Sequence, residues 1–513
     1  MRIEDFDLAL SALPGAAPVW HGDVDAAAWR QVCQQVHDKG GRLVALWGSD
    51  RRELQRGFVV HAALVIRSGL VWLTLSADHE AYPGIDDIFP VASRMQRALG
   101  DLLGIYPHNP QDARPWLRHS AWPADQYPLR KDFDGSTVHP ATVQDYPFVT
   151  VEGDGVHEIA VGPVHAGTIE PGHFRFSVIG EKILRLEPRL GYTHKGIEKL
   201  FEAMTLESGA RLAGRISGDS TVAYAWAYAM AAESAVDRTP PERALWLRAL
   251  LLERERLANH LGDLGALGND AGLAFGLAQF SCLKEDLLRS NAALFGHRYL
   301  MDSIVPGGVK SDLDESGGAR LMAELDVLDQ AVSRLHNIYD DHAGLQDRFI
   351  GAGRVAPELA VGLGLCGLAG RASAQAWDLR AQFPTAPYDR LDVRMATHRN
   401  GDVAARVTVR FDEVNEAIRL CRLILKGLPG GAIFTALPKA PDNAIGVGWV
   451  EGWRGEVFVA LETGADNRIR RLHPHDPSWQ NWPLIEHAVL GNIVPDFPLI
   501  NKSFNLSYSG HDL

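Results

Sequence analysis

The segment from Glu242 to Leu267 constrains this chain more than any other. Leu247, Leu250, Leu251, Leu257, Leu261 and Leu264 recur at helical spacing, which predicts one long helix with a buried stripe. Thr239-Pro240-Pro241 opens it, and Gly268 is placed to cap its far end. A stripe of this length must be covered by other elements, so the second part of the chain reads as a helical body. Near residue 395 the pattern changes period. His398-Arg399-Asn400-Gly401-Asp402 reads as a type I′ hairpin turn, followed by a strand in which Val403, Ala405, Val407, Val409 and Phe411 alternate with polar residues. Asp412 then caps a helix ending at Gly427, and Val450 to Leu461 reads as another strand. The body is helical with β-ribbon insertions, not a doubly wound sheet.

The first part has a different character. Phe58 to Ile66 and Leu70 to Leu75 are β-branched-rich apolar runs separated by Arg67-Ser68-Gly69, a hairpin signal, and Pro90 to Leu103 has helical spacing. A Pro- and Trp-rich tail leads to Pro128-Leu129-Arg130-Lys131-Asp132-Phe133, and residues 134–154 are polar and turn-rich. These features predict a small α/β domain over 1–133, a linker over 134–154 and a large domain over 155–513. With 513 residues, two cores or more are expected. A net charge of −13 without a basic stripe argues against nucleic-acid binding. Cys33, Cys282, Cys366 and Cys421 are isolated, with no C-x-x-C pair, which excludes a cysteine-rich zinc or iron–sulfur site and fits a reducing compartment. The start lacks the pattern of a signal peptide, and no run approaches the roughly 20 apolar residues of a membrane span.

Five short motifs occur in order. They are Pro128–Phe133; Gly162-Pro163-Val164-His165 with Glu170-Pro171-Gly172-His173-Phe174-Arg175; Arg189-Leu190-Gly191-Tyr192-Thr193-His194-Lys195-Gly196-Ile197-Glu198-Lys199-Leu200; Arg215-Ile216-Ser217-Gly218-Asp219-Ser220; and Ser503-Phe504-Asn505-Leu506-Ser507-Tyr508-Ser509-Gly510-His511. The series resembles the large subunit of membrane-bound, energy-converting [NiFe] hydrogenases and the 49 kDa-type subunit of complex I. The first part resembles the complex I 30 kDa-type subunit, in the fused order of formate-hydrogenlyase-type large subunits. The resemblance covers almost the whole chain and implies an α+β fold: a small α/β domain joined to a large, mainly helical domain.

The resemblance also implies where metal chemistry would sit. Related hydrogenases hold a nickel–iron centre with four cysteines, and here those positions fall on Ser217, Ser220, Ser507 and Gly510. A serine hydroxyl stays protonated at neutral pH and binds soft metals poorly, so no nickel–iron centre is expected. The chain stops at Asp512-Leu513, which reads as leaving no extension to be cleaved during metal insertion. The tyrosine that contacts quinone in complex I falls on Gly218, so the usual pair of quinone hydrogen-bonding groups is not offered.

Ser217, Asp219, Ser220, Ser507, His511 and Asp512 should nevertheless converge. They would hold a hard cation or polar ligand, or else satisfy one another and water. Ser220 is also a candidate N-cap for a helix from Thr221. Glu170 matches a proton-carrying acid of the hydrogenases, and Asp219 and His511 are further relay candidates. His165, His173 and His194 read as core or interface histidines. Arg175, Arg215 and Arg454 would support the cavity, most simply by pairing with Glu170, Asp219 or Glu456. The apolar stretch before the C-terminus fits a tail threaded into the core or an interface.

The implied role is a peripheral-arm subunit of a hydrogenase-related, energy-converting oxidoreductase complex on the cytoplasmic face of the cell membrane. The chain would bind no cofactor itself. Its expected partners are an iron–sulfur small subunit carrying a [4Fe–4S] cluster, a ferredoxin-like subunit and antiporter-like membrane subunits. The alternatives are reduction of a quinone or other acceptor in the former metal cavity, and a free-standing structural or regulatory protein.

Overall fold

The computed structural model describes residues 2–77, 79–140, 145–202 and 204–513, so residues 141–144 of the predicted linker lie outside the described residues. The N-terminal region is a five-stranded sheet built from β1 (Ser11–Ala12), β2 (Val19–Val24), β3 (Arg42–Asp50), β4 (Phe58–Ile66) and β5 (Gly69–Ala77), with α1 (Ala26–Asp38) between β2 and β3. Its order is β1-β2-β5-β4-β3; β2 and β5 run parallel and the other pairs antiparallel. The predicted hairpin is present, closing with Ile66 opposite Gly69. Every residue of β4 is buried, which is why it reads as a continuous apolar run. The predicted helix is α2 (Ala92–Leu103), which packs on β3.

The rest begins with an antiparallel sheet of β6 (Val156–Val161), β7 (His173–Ile179) and β8 (Lys182–Arg189), then the short α3 (Ile197–Phe201). Next come α4 (Thr221–Ala235), α5 (Glu242–Asp270), α6 (Ala274–Phe295), α7 (Glu315–Asp341) and α8 (Val403–Gly427). All six leucines of the α5 stripe are buried, each contributing roughly 2 kcal/mol of apolar transfer. Gly268 does not end α5. The helix runs to Asp270, and Gly268 leaves room for the Tyr339 hydroxyl, which donates to Leu264 O at 2.8 Å.

The expected hairpin and strand over 398–411 are absent. Asp402 caps α8, accepting from Ala405 N at 2.8 Å, and the helix starts at Val403 with Asp412 in its interior. Its polar positions Arg406, Arg410 and Glu413 are buried as well as its valines, so both periods fit the same apolar residues. Only a narrow stripe through Asp412 and Asn415 reaches solvent, so burial of the charged positions blurs the apolar stripe that distinguishes a helix from a strand.

The predicted strand over 450–461 is instead a hairpin, β9 (Ile445–Glu451) and β10 (Glu456–Thr463), joined by Gly452-Trp453-Arg454-Gly455. With β11 (Ile469–His475) it forms an antiparallel sheet. The alanine-rich α4 is buried along its length and lies flat on β9, where Gly446 and Gly448 admit its backbone; a Cβ at either would collide with Ala231 O or Ala227 O. The chain ends with α9 (Ser478–Ala488), α10 (Phe497–Phe504) and α11 (Ser509–Asp512), and this tail is docked and largely buried.

The N-terminal sheet and this last sheet meet along a polar seam. Glu462 accepts from Ser49 Oγ at 2.6 Å and Arg51 Nε at 2.8 Å, and Arg471 Nε donates to Gly48 O at 2.8 Å.

Candidate functional site

Three segments meet where the sequence places the former metal positions. The first is the turn of 3-10 helix Gly218–Ser220 at the start of α4, the second the β9–β10 turn, and the third Asn505 to Gly510 of the tail. Ser217 Oγ lies 3.0 Å from Ser507 Oγ and donates to Asp219 Oδ1 at 2.8 Å. Ser507 Oγ accepts from Gly510 N at 2.8 Å. Arg454 grips the Asp219 carboxylate bidentately, at 2.7 and 2.5 Å, and reaches Ser220 Oγ at 3.2 Å. Its Nε donates to Asn505 O at 2.6 Å, tying the hairpin turn to the tail. Trp453 Nε1 and Asn259 Nδ2 both donate to Asp219 O, at 2.8 and 2.7 Å. Burial pushes the Asp219 carboxyl up, but Arg454 and Ser217 outweigh it and hold the group below its ordinary value. The Asp219 side chain remains 38% exposed, so this charge pair faces an opening.

These donors do not fit a nickel–iron centre. The four positions offer no thiolate, and the hydroxyls of Ser217 and Ser507 are committed to each other and to neighbouring groups. Position 510 has no room for a side chain: a Cβ would collide with Asp476 Oδ2 and lie 2.8 Å from Ser507 Oγ. Asp476 is itself held by the Tyr224 hydroxyl at 2.7 Å. Among the described residues, no group of three or more His, Cys, Asp or Glu side chains could hold a metal ion.

The other predicted residues divide. His511 and Asp512 adjoin the site but face away from it. His511 Nδ1 lies 2.8 Å from Asp512 Oδ1, its ring stacks on Trp479 at 4.1 Å, and Asp512 Oδ2 accepts from Thr193 N and Oγ1 at 3.0 and 2.7 Å. Burial lowers the His511 pKa against the pull of Asp512. Glu170 is exposed rather than in a low-dielectric core, and accepts only from Ser509 N, at 3.3 Å, among the described residues. His173 Nδ1 faces Gly162 O at 3.2 Å, and His165 and His194 likewise bond to backbone carbonyls. Arg215 pairs with Asp302 and Arg175 with Glu158, so neither supports the cavity. Ser220 holds the N-cap position of α4 without capping it.

Glu255 caps α4 instead, and the sequence reading missed it. Its carboxylate accepts from Val222 N at 2.6 Å and Ala223 N at 3.2 Å. Burial pushes its pKa up to about 8, against those backbone donors. A second missed feature is a buried ionic network behind the site. Arg371 binds Glu413 and Glu451, each at 2.8 Å; Glu413 also meets His260 at 2.8 Å; and Arg380 binds Glu253 at 3.0 Å and Asp378 at 2.7 Å. The available signal was Glu253-Arg254-Glu255-Arg256, four charges in the middle of the leucine stripe.

Residues 23–138 match the family of the respiratory-chain NADH dehydrogenase 30 Kd subunit, and residues 270–444 that of the 49 Kd subunit of the same enzyme. The chain is 32% identical to formate hydrogenlyase subunit 5 of Escherichia coli (strain K12), over 93% of this chain and 85% of that protein. It is 30% identical to hydrogenase-4 component G of the same organism, over 93% and 84% respectively. Among solved structures, a chain of the membrane-bound sulfane sulfur reductase, an archaeal respiratory membrane complex, shares the fold. It has a TM-score of 0.66 and 24% identity, covering 70% of this chain and 99% of that one. The order of the two matched regions and the near full-length similarity place the protein in the family of fused 30 kDa–49 kDa complex I-type large subunits to which formate hydrogenlyase subunit 5 and hydrogenase-4 component G belong.

Proposed function

We propose that this chain is a peripheral-arm subunit of a membrane-bound, energy-converting oxidoreductase complex and carries no nickel–iron centre of its own. It would seat a small subunit bearing a [4Fe–4S] cluster, together with a ferredoxin-like subunit, against antiporter-like membrane subunits on the cytoplasmic face. The observation that carries this reading is the closed Ser217–Ser507–Asp219–Arg454 cluster, which uses the former ligand positions for hydrogen bonding and joins three distant segments. No helix among the described residues is long and apolar enough to cross a membrane, so membrane contact would be made through partners. Mass spectrometry of what co-purifies from gently solubilised native membranes tests this. An iron–sulfur small subunit together with antiporter-like proteins is the expected result. Recovery of the chain alone from the soluble fraction would overturn it in favour of a free-standing protein.

One observation favours a second reading, reduction of a quinone or other acceptor: the Arg454–Asp219 pair opens to solvent. There a fixed cation would orient a carbonyl or anionic acceptor, with the ionised Asp219 holding the guanidinium in place and protons drawn from the solvent it faces. Asp219→Asn in the assembled complex separates the readings. It abolishes turnover under the second and leaves both turnover and assembly intact under the first.

A further inference from the structure

A cleft of about 380 Å³ opens between the N-terminal domain and the helical body. One wall is the end of α1, the start of β3 and the β4–β5 turn. The other is the short helix Pro357–Gly362 with residues 364–365 and 375–377. Its charge runs against that of the chain. The protein carries a net −13, yet His37, Lys39, Arg42 and Arg67 line the cleft, and among the described residues no Asp or Glu does. Arg42 is already engaged. It pairs with Glu456, Nη2 to Oε2 at 2.8 Å, and its guanidinium lies 4.8 Å from the centre of the Trp377 ring. Lys39 and Arg67 differ. Both are exposed, and neither has a hydrogen-bond or ion-pair partner among the described residues. Asp38, next to Lys39, is taken by Gln34 at 2.7 Å and by His37 at 3.4 Å.

This is not the plan of a small-molecule site, which sets a few free polar groups inside an enclosed pocket. Here the half-buried polar side chains are already bonded, Arg42 to Glu456 and Gln375 to the carbonyls of Pro357 and Ser373. The unpaired cations are the exposed ones. Val361, 63% exposed, adds an apolar contact from the opposite wall. Two unpaired cations facing an exposed apolar side chain across an open trough complement an acidic peptide that also carries an apolar residue. We propose that the cleft docks an acidic segment of a partner subunit, with carboxylates on Lys39 and Arg67 and an apolar side chain against Val361. The inference rests on the reading of this chain as a subunit of a larger complex. Because the cations belong to the N-terminal domain and Val361 to the helical body, the segment bridges the two. Attraction of this kind steers association and weakens as salt is added.

Carbodiimide coupling of the complex isolated from native membranes tests it, because the reagent joins an amine to a carboxylate only where the two touch. Lys39 is expected to couple to an Asp or Glu of another subunit, identified by mass spectrometry of the joined peptides. It is also expected to acylate at least about tenfold more slowly in the complex than in the isolated chain. Absence of an inter-subunit product overturns the proposal, whether the amine stays reactive or is shielded by something other than a carboxylate. In that case the subunit reading stands; recovery of the chain without partners overturns both. Inorganic pyrophosphate is the probe for a small anion: if it slows Lys39 acylation in the isolated chain and no coupling occurs in the complex, the cleft belongs to a small anion instead. The double variant Lys39→Glu, Arg67→Glu is the second measurement. Neither residue holds a partner within the chain, so the denaturant midpoint of the isolated chain should not move. Retention of the coupled subunit should fall at least about tenfold, and unchanged retention would count against the docking site.

Discussion

The Ser217–Ser507–Asp219–Arg454 cluster and the ionic network behind it both rest on arginine–carboxylate pairs but use them to different ends. At the cluster, Arg454 holds a carboxylate that still reaches solvent, and two serines close on each other. In the network, Arg371, Arg380, Glu253, Glu413, Glu451 and Asp378 are all almost completely buried, and each of the four carboxylates touches an arginine, while burial and the neighbouring Asp378 push Glu451 up. Buried pairs of this kind repay their desolvation only while every partner is present, whereas a half-exposed pair can rearrange with water. The cluster therefore tolerates changes of chemistry, and the network does not.

Substitutions break this comparison to different degrees. Arg371→Ala removes the one cation paired to Glu451 and the nearer of two arginines at Glu413, and is expected to cost about 3–5 kcal/mol, read from the denaturant midpoint. Gly510→Ala drives a methyl into Asp476 and Ser507 and is expected to cost about 1–3 kcal/mol by the same measurement. Glu255→Gln sharpens the contrast through pH. The folded pKa of Glu255 is raised from 4.5 to about 8, so its contribution to stability is complete below about pH 4.5 and is lost as pH rises to about 8. The variant should flatten that decline and be more stable than the parent at pH 8, by roughly 1–2 kcal/mol. Asp219→Asn has the smallest expected effect, about 0.5–1 kcal/mol, because the pair is partly solvated. Its sign is opposite: the depressed Asp219 pKa gives stability that is present at neutral pH and lost as pH falls below the ordinary carboxylate range. Asp219→Asn should therefore weaken the protein at pH 7, and the difference should shrink as pH falls far enough to protonate Asp219 in the folded state.

What was legible in the sequence follows from the same physics. The hairpin at Phe58–Ala77 and the α5 stripe were readable because apolar residues and turn signals there serve one role. Of the six residues expected to converge from the family motifs, Ser217, Asp219, Ser220 and Ser507 meet around Arg454, while His511 and Asp512 turn to each other and to Thr193. The start of α8 was not legible, because Arg410 and Glu413 point into buried ionic contacts and Arg406 into buried carbonyls and the Ser503 hydroxyl, leaving valines at alternating positions that imitate a strand. Glu255 was hidden for a related reason. In isolation Glu-Arg-Glu-Arg looks like a solvated face, and only the approach of the α4 N-terminus makes it a cap. The motif position of Glu170 did not fix its burial, and the loop around it leaves it exposed with Ser509 N as its partner.

The most direct test of the central claim is the nickel content of the intact complex, determined per copy of this chain after isolation from native membranes under reducing conditions. The account predicts no stoichiometric nickel, with iron attributable to the cluster-bearing partners. About one nickel per chain accompanied by hydrogen uptake would contradict it, because the Ser217–Ser507–Asp219–Arg454 cluster would then have to open and bind a soft metal without a single thiolate.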